Sequence, residues 1–286
     1  MKAVILAAGY GTRFLPGTKT IPKEMFPLID TPAIDLIVKE LVSAGIRDIL
    51  IVTSRRKKPL EDYFDREIEL EMTFREEGAL GKLRSIHPLD VNIFFMRQQQ
   101  MAGTGDALLL VEPFVGQAPF VVAYPDDVLI RGANLTAQLL ELHERTGCTV
   151  LAAQQLDGDV SRYGVIDTEV RDGVEYVKAM VEKPPPGTEP SRLVGYGRYL
   201  YAPEIFDALK ATRTAAQGRE FTQTEAIQRL AAQNRVVVRR FEGRILDIGT
   251  PQGYLHSFIE YGLLREEFRP DLLHYMRQVL RREGEE

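Results

Sequence analysis

Arg13, Lys19 and Lys23 lie within eleven positions of one another, on a loop that also carries glycines at 9, 11 and 17, in the stretch LAAGYGTRFLPGTKTIPKEMFP. Glycine lets a backbone approach a ligand closely, and successive N–H groups joined by cationic side chains form a cradle for phosphate oxygens. A nucleoside triphosphate is the guest such a loop suits. Far along the chain stand further charged residues: Asp126 and Asp127 after an apolar run, Lys183 in VEKPPPG, and Asp247 ahead of Gly249, Thr250 and Pro251. A carboxylate pair at the end of a strand suits a hard divalent cation, because magnesium takes one or two carboxylates and completes its shell with phosphate oxygens. By residue type alone, a Pro-Asp-Asp turn and a capping Asp247 stay open as alternatives. Lys183 reads either as an exposed strand-end lysine or as an ammonium fixed by the prolines to meet a phosphate.

Spacing excludes two common phosphate loops. The dinucleotide pattern G-x-G-x-x-G/A starts at Gly9 and Gly11 but meets Phe14 where a small residue must pack, and Gly17 is followed by Thr18 rather than by the lysine of a Walker loop. Downstream, MRQQQMAGTGDAL runs a glutamine cluster into a glycine turn. Gln98 offers a donor and an acceptor to a base edge, and Gly103 permits close approach, although a plain polar loop has the same composition.

These residues need a scaffold, and the apolar pattern supplies one. Short runs at 3–8, 49–53, 91–96 and 120–123 alternate with helical stretches at 34–44 and 104–111. That alternation predicts an α/β fold with parallel strands, right-handed crossovers and ligands at the carboxyl ends of the strands. Gly45 reads as a helix C-cap, and the charged run 63–83 as a solvated helical excursion. After a helix at 134–146, the segment beyond Cys148 turns richer in strand and proline, with YGVI, VEYVKAMVEKP and LVGYGRYLY as landmarks. An amphipathic helix at 221–233 follows Arg219 and Glu220, then a strand at 236–241 and the last helices, ending in a solvated QVLRREGEE.

At 286 residues with 44% apolar and 27% charged residues, the composition is that of an ordinary globular protein. No apolar run approaches the ~18 residues of a membrane span, and the apolar core of MKAVILAAG is too short for a signal peptide. A cytoplasmic protein without membrane contact is expected. The single cysteine, Cys148, excludes an internal disulfide and reads as a buried strand thiol. A net charge of −5 argues against nucleic acid as a partner.

The glycine loop, as GxGTRxLPxTKxxPKEMxP, resembles the signature of the sugar-1-phosphate nucleotidyltransferases. Its TKxxPKEM half is similar to the bacterial UTP–glucose-1-phosphate uridylyltransferases, as is FDREIELE at 64–71. The likeness runs to about Arg265. It implies a Rossmann-like nucleotidyltransferase fold, with a mostly parallel central sheet flanked by helices, a smaller sugar-binding β elaboration and C-terminal helices. A nucleotide-binding part at about 1–150 and a sugar-binding part at about 151–250 would share one domain, 1–265, followed by a helical arm at 266–286. The implied reaction moves UMP from UTP to glucose 1-phosphate with magnesium as cofactor, in a homo-oligomer, dimer or tetramer.

The same resemblance assigns residues. Ala7, Ala8, Gly9, Gly11, Thr12, Arg13, Lys23, Gln98, Gly103 and Asp126 would bind the nucleotide, with Gln98 and Gly103 against the pyrimidine. Tyr163, Gly164, Glu182 and Lys183 would bind the sugar phosphate, and Asp126 and Asp247 would share the metal. Arg13, Lys23, Asp126, Lys183 and Asp247 form the implied catalytic set. EFTQTEAI at 220–227 resembles a family segment read chiefly as structure. Ala102 stands where the uridylyltransferases usually carry lysine, and GTGDA looks more like other members, so dTTP or another sugar stays open beside UTP and glucose. A catalytically silent sugar-nucleotide sensor is the rival from another class, and a Rossmann dehydrogenase is disfavoured by Phe14.

Overall fold

Unbroken apolar segments with little charge are expected to be buried on both faces, and three of the four are, while Asn92–Arg97 lies at the sheet edge with Phe94 exposed. The computed structural model describes residues 1–213 and 220–284, so Arg219 and the last two residues of the C-terminal run lie outside the described residues. Its centre is a nine-stranded sheet in the order Asn92–Arg97, Asp48–Thr53, Lys2–Leu6, Phe120–Ala123, Leu193–Tyr201, Thr149–Gln155, Val236–Arg240, Val174–Glu182 and Gly164–Arg171. The first four strands run parallel, with Val4 of the first strand facing Leu50 on one side and Val122 on the other. Ala3, Val4 and Ile5 are completely buried, as are Ile49, Ile51, Val121 and Val122. In a strand covered on both faces every large apolar side chain contributes about 1.5 to 3 kcal/mol whichever face it points to, which is why these runs read as continuous rather than alternating.

Beyond Phe120–Ala123 the expectation of a mostly parallel sheet gives way to a mixed one. Leu193–Tyr201 pairs antiparallel with both neighbours, and Gly164–Arg171 and Val174–Glu182 form a hairpin. The reason is connection length: two residues join the hairpin strands, too few for the crossover that a parallel pair requires. The strands beyond residue 150 therefore extend the central sheet.

Helices cover both faces. Ala33–Ser43 buries Ile34, Ile37, Val38 and Leu41 at helical spacing, and the expected glycine, Gly45, follows its end at φ 85. Leu135–Thr146 is capped by Asn134, whose side chain accepts from the Ala137 N–H at 2.8 Å. The charged excursion forms three short helices, Lys58–Phe64, Ile68–Glu76 and Leu80–Ser85. The final helix, Arg269–Glu283, buries none of its residues and packs on Pro251–Leu264. Cys148 is buried, as expected, but stands one position ahead of the strand Thr149–Gln155 rather than within it. No helix among the described residues is long and apolar enough to cross a membrane.

Candidate functional site

The loop after the first strand is more structured than a strand-to-helix turn. Three single turns of tight helix, Thr12–Phe14, Gly17–Lys19 and Lys23–Met25, precede the helix that starts at Ala33. They carry Arg13 across to the far end of the chain, where its Nη1 donates to the Gly249 carbonyl at 3.3 Å. They also bring the Lys23 ammonium onto Asp126 Oδ2. Lys19 turns outward and is exposed.

A two-stranded ladder sets the carboxylates. Asp127–Ile130 pairs antiparallel with Arg244–Asp247 so that Asp127 and Asp247 stand opposite each other, and the Ile248 N–H donates to the Asp126 carbonyl at 2.9 Å. Residues some 120 positions apart are thereby fixed side by side. The place between Asp126 and Asp247 is left open by Gly249. A methyl group there would sit 3.1 Å from Asp126 Oδ2 and 3.2 Å from Asp247 Oδ1. Thr250 caps the helix Pro251–Leu264 by accepting from the Gly253 N–H at 3.0 Å. Asp247 itself accepts from the Gly249 N–H at 2.8 Å, so it closes the turn while its carboxylate faces Asp126.

Asp127 has a different task. Its Oδ2 accepts from the Gly197 N–H at 2.8 Å, inside the strand Leu193–Tyr201, where the register shifts between Gly195 and Tyr199. Burial, reinforced by the nearby charges of Asp126 and Asp247, pushes its carboxyl up to about 6 against the pull of that N–H.

Two adjoining cavities meet at this corner. The first is lined by Ala8, Gly9, Lys23, Gln98, Gly103 and Asp126, with Leu6, Val52 and Ala107 as apolar wall. Gln98 is buried, and its Nε2 donates to the Gly103 carbonyl at 3.2 Å and to Asp106 Oδ2 at 3.1 Å. Both donors being used, the amide is oriented with its oxygen as the group left to a ligand. Gly103 has φ 111, and a side chain there would run into the Phe221 carbonyl.

The second cavity gathers Arg13, Asp126, Asp127, Tyr163, Gly164, Glu182, Lys183, Asp247 and Gly249. Strand register pairs Gly164 with Glu182, and the missing side chain at 164 leaves room beside the glutamate. Lys183 follows at φ 47, a left-handed conformation that costs a non-glycine residue about 1 kcal/mol or more. Its N–H donates to the Tyr163 carbonyl at 3.0 Å, and its exposed ammonium lies 3.5 Å from Glu182 Oε1.

Most of the expected residues thus surround one continuous space. Ala7, Gly11 and Thr12 do not line either cavity; Ala7 is buried and bonded through its N–H to Val52, and Gly11 packs on Thr18. Several lining residues were not singled out in the sequence. Glu220, Thr104 and Tyr124 wall both cavities, and Thr222, Gln223 and Thr224 wall the second. The segment EFTQTEAI, expected chiefly as structure, therefore does both: Thr104 Oγ1 bonds to Gln223, and the Gly105 N–H donates to the Phe221 carbonyl at 2.9 Å. Tyr124 borders both cavities and Tyr199 the second, with the buried Tyr201 stacked on Tyr199 behind them, and burial raises each phenol well above its ordinary value. Behind Lys23, Glu24 and Lys57 form a buried ion pair of 2.6 Å.

Residues 2–262 match the nucleotidyl transferase family. A UTP–glucose-1-phosphate uridylyltransferase of Staphylococcus epidermidis is 42% identical over 282 residues, covering 97% of this chain and 98% of its own. A UTP-bound UGPase of Acinetobacter baumannii superposes with a TM-score of 0.86 at 33% identity, covering 98% of each chain. A UDP-glucose pyrophosphorylase complexed with UDP-glucose superposes with a TM-score of 0.81 at 37% identity, covering 92% of this chain and 99% of its own.

Proposed function

The chain belongs to the nucleotidyl transferase family, and from that premise we propose that it transfers UMP from UTP to glucose 1-phosphate, giving UDP-glucose and pyrophosphate. The observation that carries this reading is the corner where the two cavities meet. Asp126 borders both, with Lys23 on the nucleotide side and Arg13, Asp247 and Lys183 on the other. A triphosphate entering from the first cavity and a sugar phosphate from the second would meet there. The relatives with the same fold are named for UTP and UDP-glucose.

A phosphate oxygen of the sugar phosphate attacks the α-phosphorus in line. The new bond joins that oxygen to the α-phosphorus, the bond to the bridging oxygen breaks, and the electron pair leaves with pyrophosphate. The nucleophile is already an anion at neutral pH, so no proton must be removed and the protein's work is positioning and charge neutralisation. Lys23 holds the triphosphate from the nucleotide side, Arg13 meets its phosphates from across the corner where they pass Asp126, and Lys183 meets the phosphate of the sugar. Glu182, in the space left by Gly164, accepts from sugar hydroxyls, and Tyr163 flanks them. The free oxygen of Gln98 accepts from the base, and the backbone at Ala8, Gly9 and Gly103 allows its close approach.

The donor set fits a magnesium ion. Among the described residues no group of three or more histidine, cysteine, aspartate or glutamate side chains could hold a metal, while Asp126 and Asp247 converge on the gap at Gly249. Two carboxylates with the remaining positions open to phosphate and water is the arrangement magnesium takes. Bound by Asp126 and Asp247, the ion would neutralise charge on the phosphates. The same reading expects a cytoplasmic homo-oligomer, and exposed Leu255, Phe258 and Leu280 on the last two helices would suit a contact between subunits.

Pyrophosphate release over a grid of nucleoside triphosphates and sugar 1-phosphates tests the assignment. UTP with glucose 1-phosphate is expected to be fastest and dTTP slower, because dTTP adds a methyl, worth only about 1 to 3 kcal/mol, and also lacks the 2′-hydroxyl. GTP and ATP are expected to be poor. Equal kcat/KM for UTP and GTP would overturn the account of the base.

A further inference from the structure

We infer that Arg198, held by Glu40, is the positioning residue that fixes the turn from which Asp126 meets a magnesium ion. The inference rests on the reading of Asp126 and Asp247 as the metal pair. Arg198 lies inside the strand Leu193–Tyr201 and is 1% exposed, a burial that a guanidinium bears only when its donors are satisfied. It lines neither of the two adjoining cavities. Its Nε donates to Glu40 Oε1 at 3.1 Å and its Nη2 to Glu40 Oε2 at 2.8 Å, the two-pronged pairing that sets the plane of the guanidinium. Nη1 is then aimed at the backbone, donating to the carbonyls of Tyr124 at 3.1 Å and Gly197 at 2.9 Å.

Those two carbonyls flank the turn 124–127, which carries Asp126. The bond that would close the turn, from the Asp127 N–H to the Tyr124 carbonyl, is long at 3.4 Å, and Pro125 has no N–H to add. Arg198 gives the Tyr124 carbonyl its shorter bond. Across the strand, Gly197 is held from both sides, its N–H by Asp127 Oδ2 at 2.8 Å and its carbonyl by the Tyr124 N–H at 2.8 Å as well as by Arg198. Both flanks of Asp126 are thus tied to one strand, while its own carboxylate is left to Lys23 and the gap at Gly249.

Glu40 extends the grip to two helices. It stands on Ala33–Ser43 and also accepts from the Thr136 N–H at 3.2 Å and the Thr136 hydroxyl at 2.7 Å, at the start of Leu135–Thr146. Burial works against its charge, but the Arg198 guanidinium and the Thr136 donors hold the Glu40 carboxyl below its ordinary value. Apolar residues of similar volume often serve stability as well as a buried ion pair does, yet none of them could bond the Tyr124 carbonyl. A lysine at 198 has a single ammonium in place of the planar fork and cannot serve Glu40 and both carbonyls together. The consequence falls on the metal, because losing a group that orients a metal ligand typically costs about ten- to a hundredfold in metal affinity or activity.

The test is UTP binding by calorimetry, with magnesium and with chelator, beside the magnesium dependence of kcat. The wild-type protein should bind UTP more tightly with magnesium by tenfold or more. Arg198→Lys should lose about tenfold of that gain, bind UTP in chelator as before, and need about tenfold more magnesium for half-maximal turnover, with KM for glucose 1-phosphate unchanged. Arg198→Met combined with Glu40→Gln leaves no uncompensated buried charge and keeps an acceptor for Thr136, so it should fold and show the same loss. A purely structural pair would lower stability in chemical denaturation without moving the magnesium gain. An unchanged gain in whichever variant folds, or failure of both to fold, overturns the inference and leaves the metal reading standing. A wild-type protein whose UTP binding ignores magnesium overturns both.

Discussion

The corner at Asp126 and the strand end at Lys183 both place a charge beside the same space, and they are built in opposite ways. At the corner, Lys23 bonds Asp126, Asp247 holds the Gly249 N–H, and Arg13 holds the Gly249 carbonyl. A strand ladder locks the two aspartate loops together, and the buried Glu24–Lys57 pair stands behind Lys23. At the strand end, the Lys183 ammonium is exposed beside Glu182, on a backbone held left-handed with its N–H bonded to the Tyr163 carbonyl. A prebuilt constellation is suited to charge that develops in the transition state, whereas an exposed lysine is suited to capturing a substrate phosphate and letting its product go.

That contrast can be broken first at the corner. Asp126→Ala or Asp247→Ala should each lower kcat by roughly three orders of magnitude, since charge stabilisation of several kcal/mol is lost and each 1.36 kcal/mol is tenfold. Circular dichroism should show the fold intact, and near-normal turnover in both variants at saturating magnesium would remove these residues from the mechanism. Behind the corner, Lys57→Met leaves Glu24 as an uncompensated buried charge. Chemical denaturation should find it destabilised by about 3 to 5 kcal/mol, and a loss below 1 kcal/mol would mean that the pair is not the support assigned to it.

The strand end should respond otherwise. Lys183→Ala is expected to raise KM for glucose 1-phosphate about ten- to hundredfold, the worth of a hydrogen bond to a charged group, with unfolding unchanged and UTP binding intact. Weakened UTP binding alone in a direct titration would reverse the division of cations. The smallest effect sharpens the contrast most finely. Lys183→Gly should be more stable than Lys183→Ala by about 1 kcal/mol, because glycine adopts φ 47 without strain. Equal melting temperatures would show that the backbone there carries no strain.

The sequence made this division partly legible. Buried parallel strands announce themselves as unbroken apolar runs, so Lys2–Leu6, Asp48–Thr53 and Phe120–Ala123 fell close to where the pattern placed them, as did the less buried edge strand Asn92–Arg97. The glycine loop showed its cations, and Thr250 with Pro251 showed a helix start. What periodicity does not carry is pairing direction: nothing in LVGYGRYLY says that it returns antiparallel into the central sheet. Nor does a local pattern reveal a contact across 103 positions, such as that of Lys23 with Asp126. Glu24 and Lys57 went unnoticed because a charged residue is expected at the surface, and only packing shows that they are enclosed. Glu220 to Thr224 read as helix start because their chemistry appears only once Gly103 and Phe221 meet.

The central claim is that the sugar phosphate attacks the α-phosphorus at the corner between the two cavities, and tracing phosphorus tests it most directly. The protein would be supplied with glucose 1-phosphate and UTP carrying radioactive phosphorus at either the α or the γ position, with magnesium and again with chelator. The account predicts α label in UDP-glucose, γ label in pyrophosphate, and neither product when the metal is withheld or Asp247 is replaced by alanine. Label from the γ position in a sugar product, or undiminished transfer by Asp247→Ala, would contradict it.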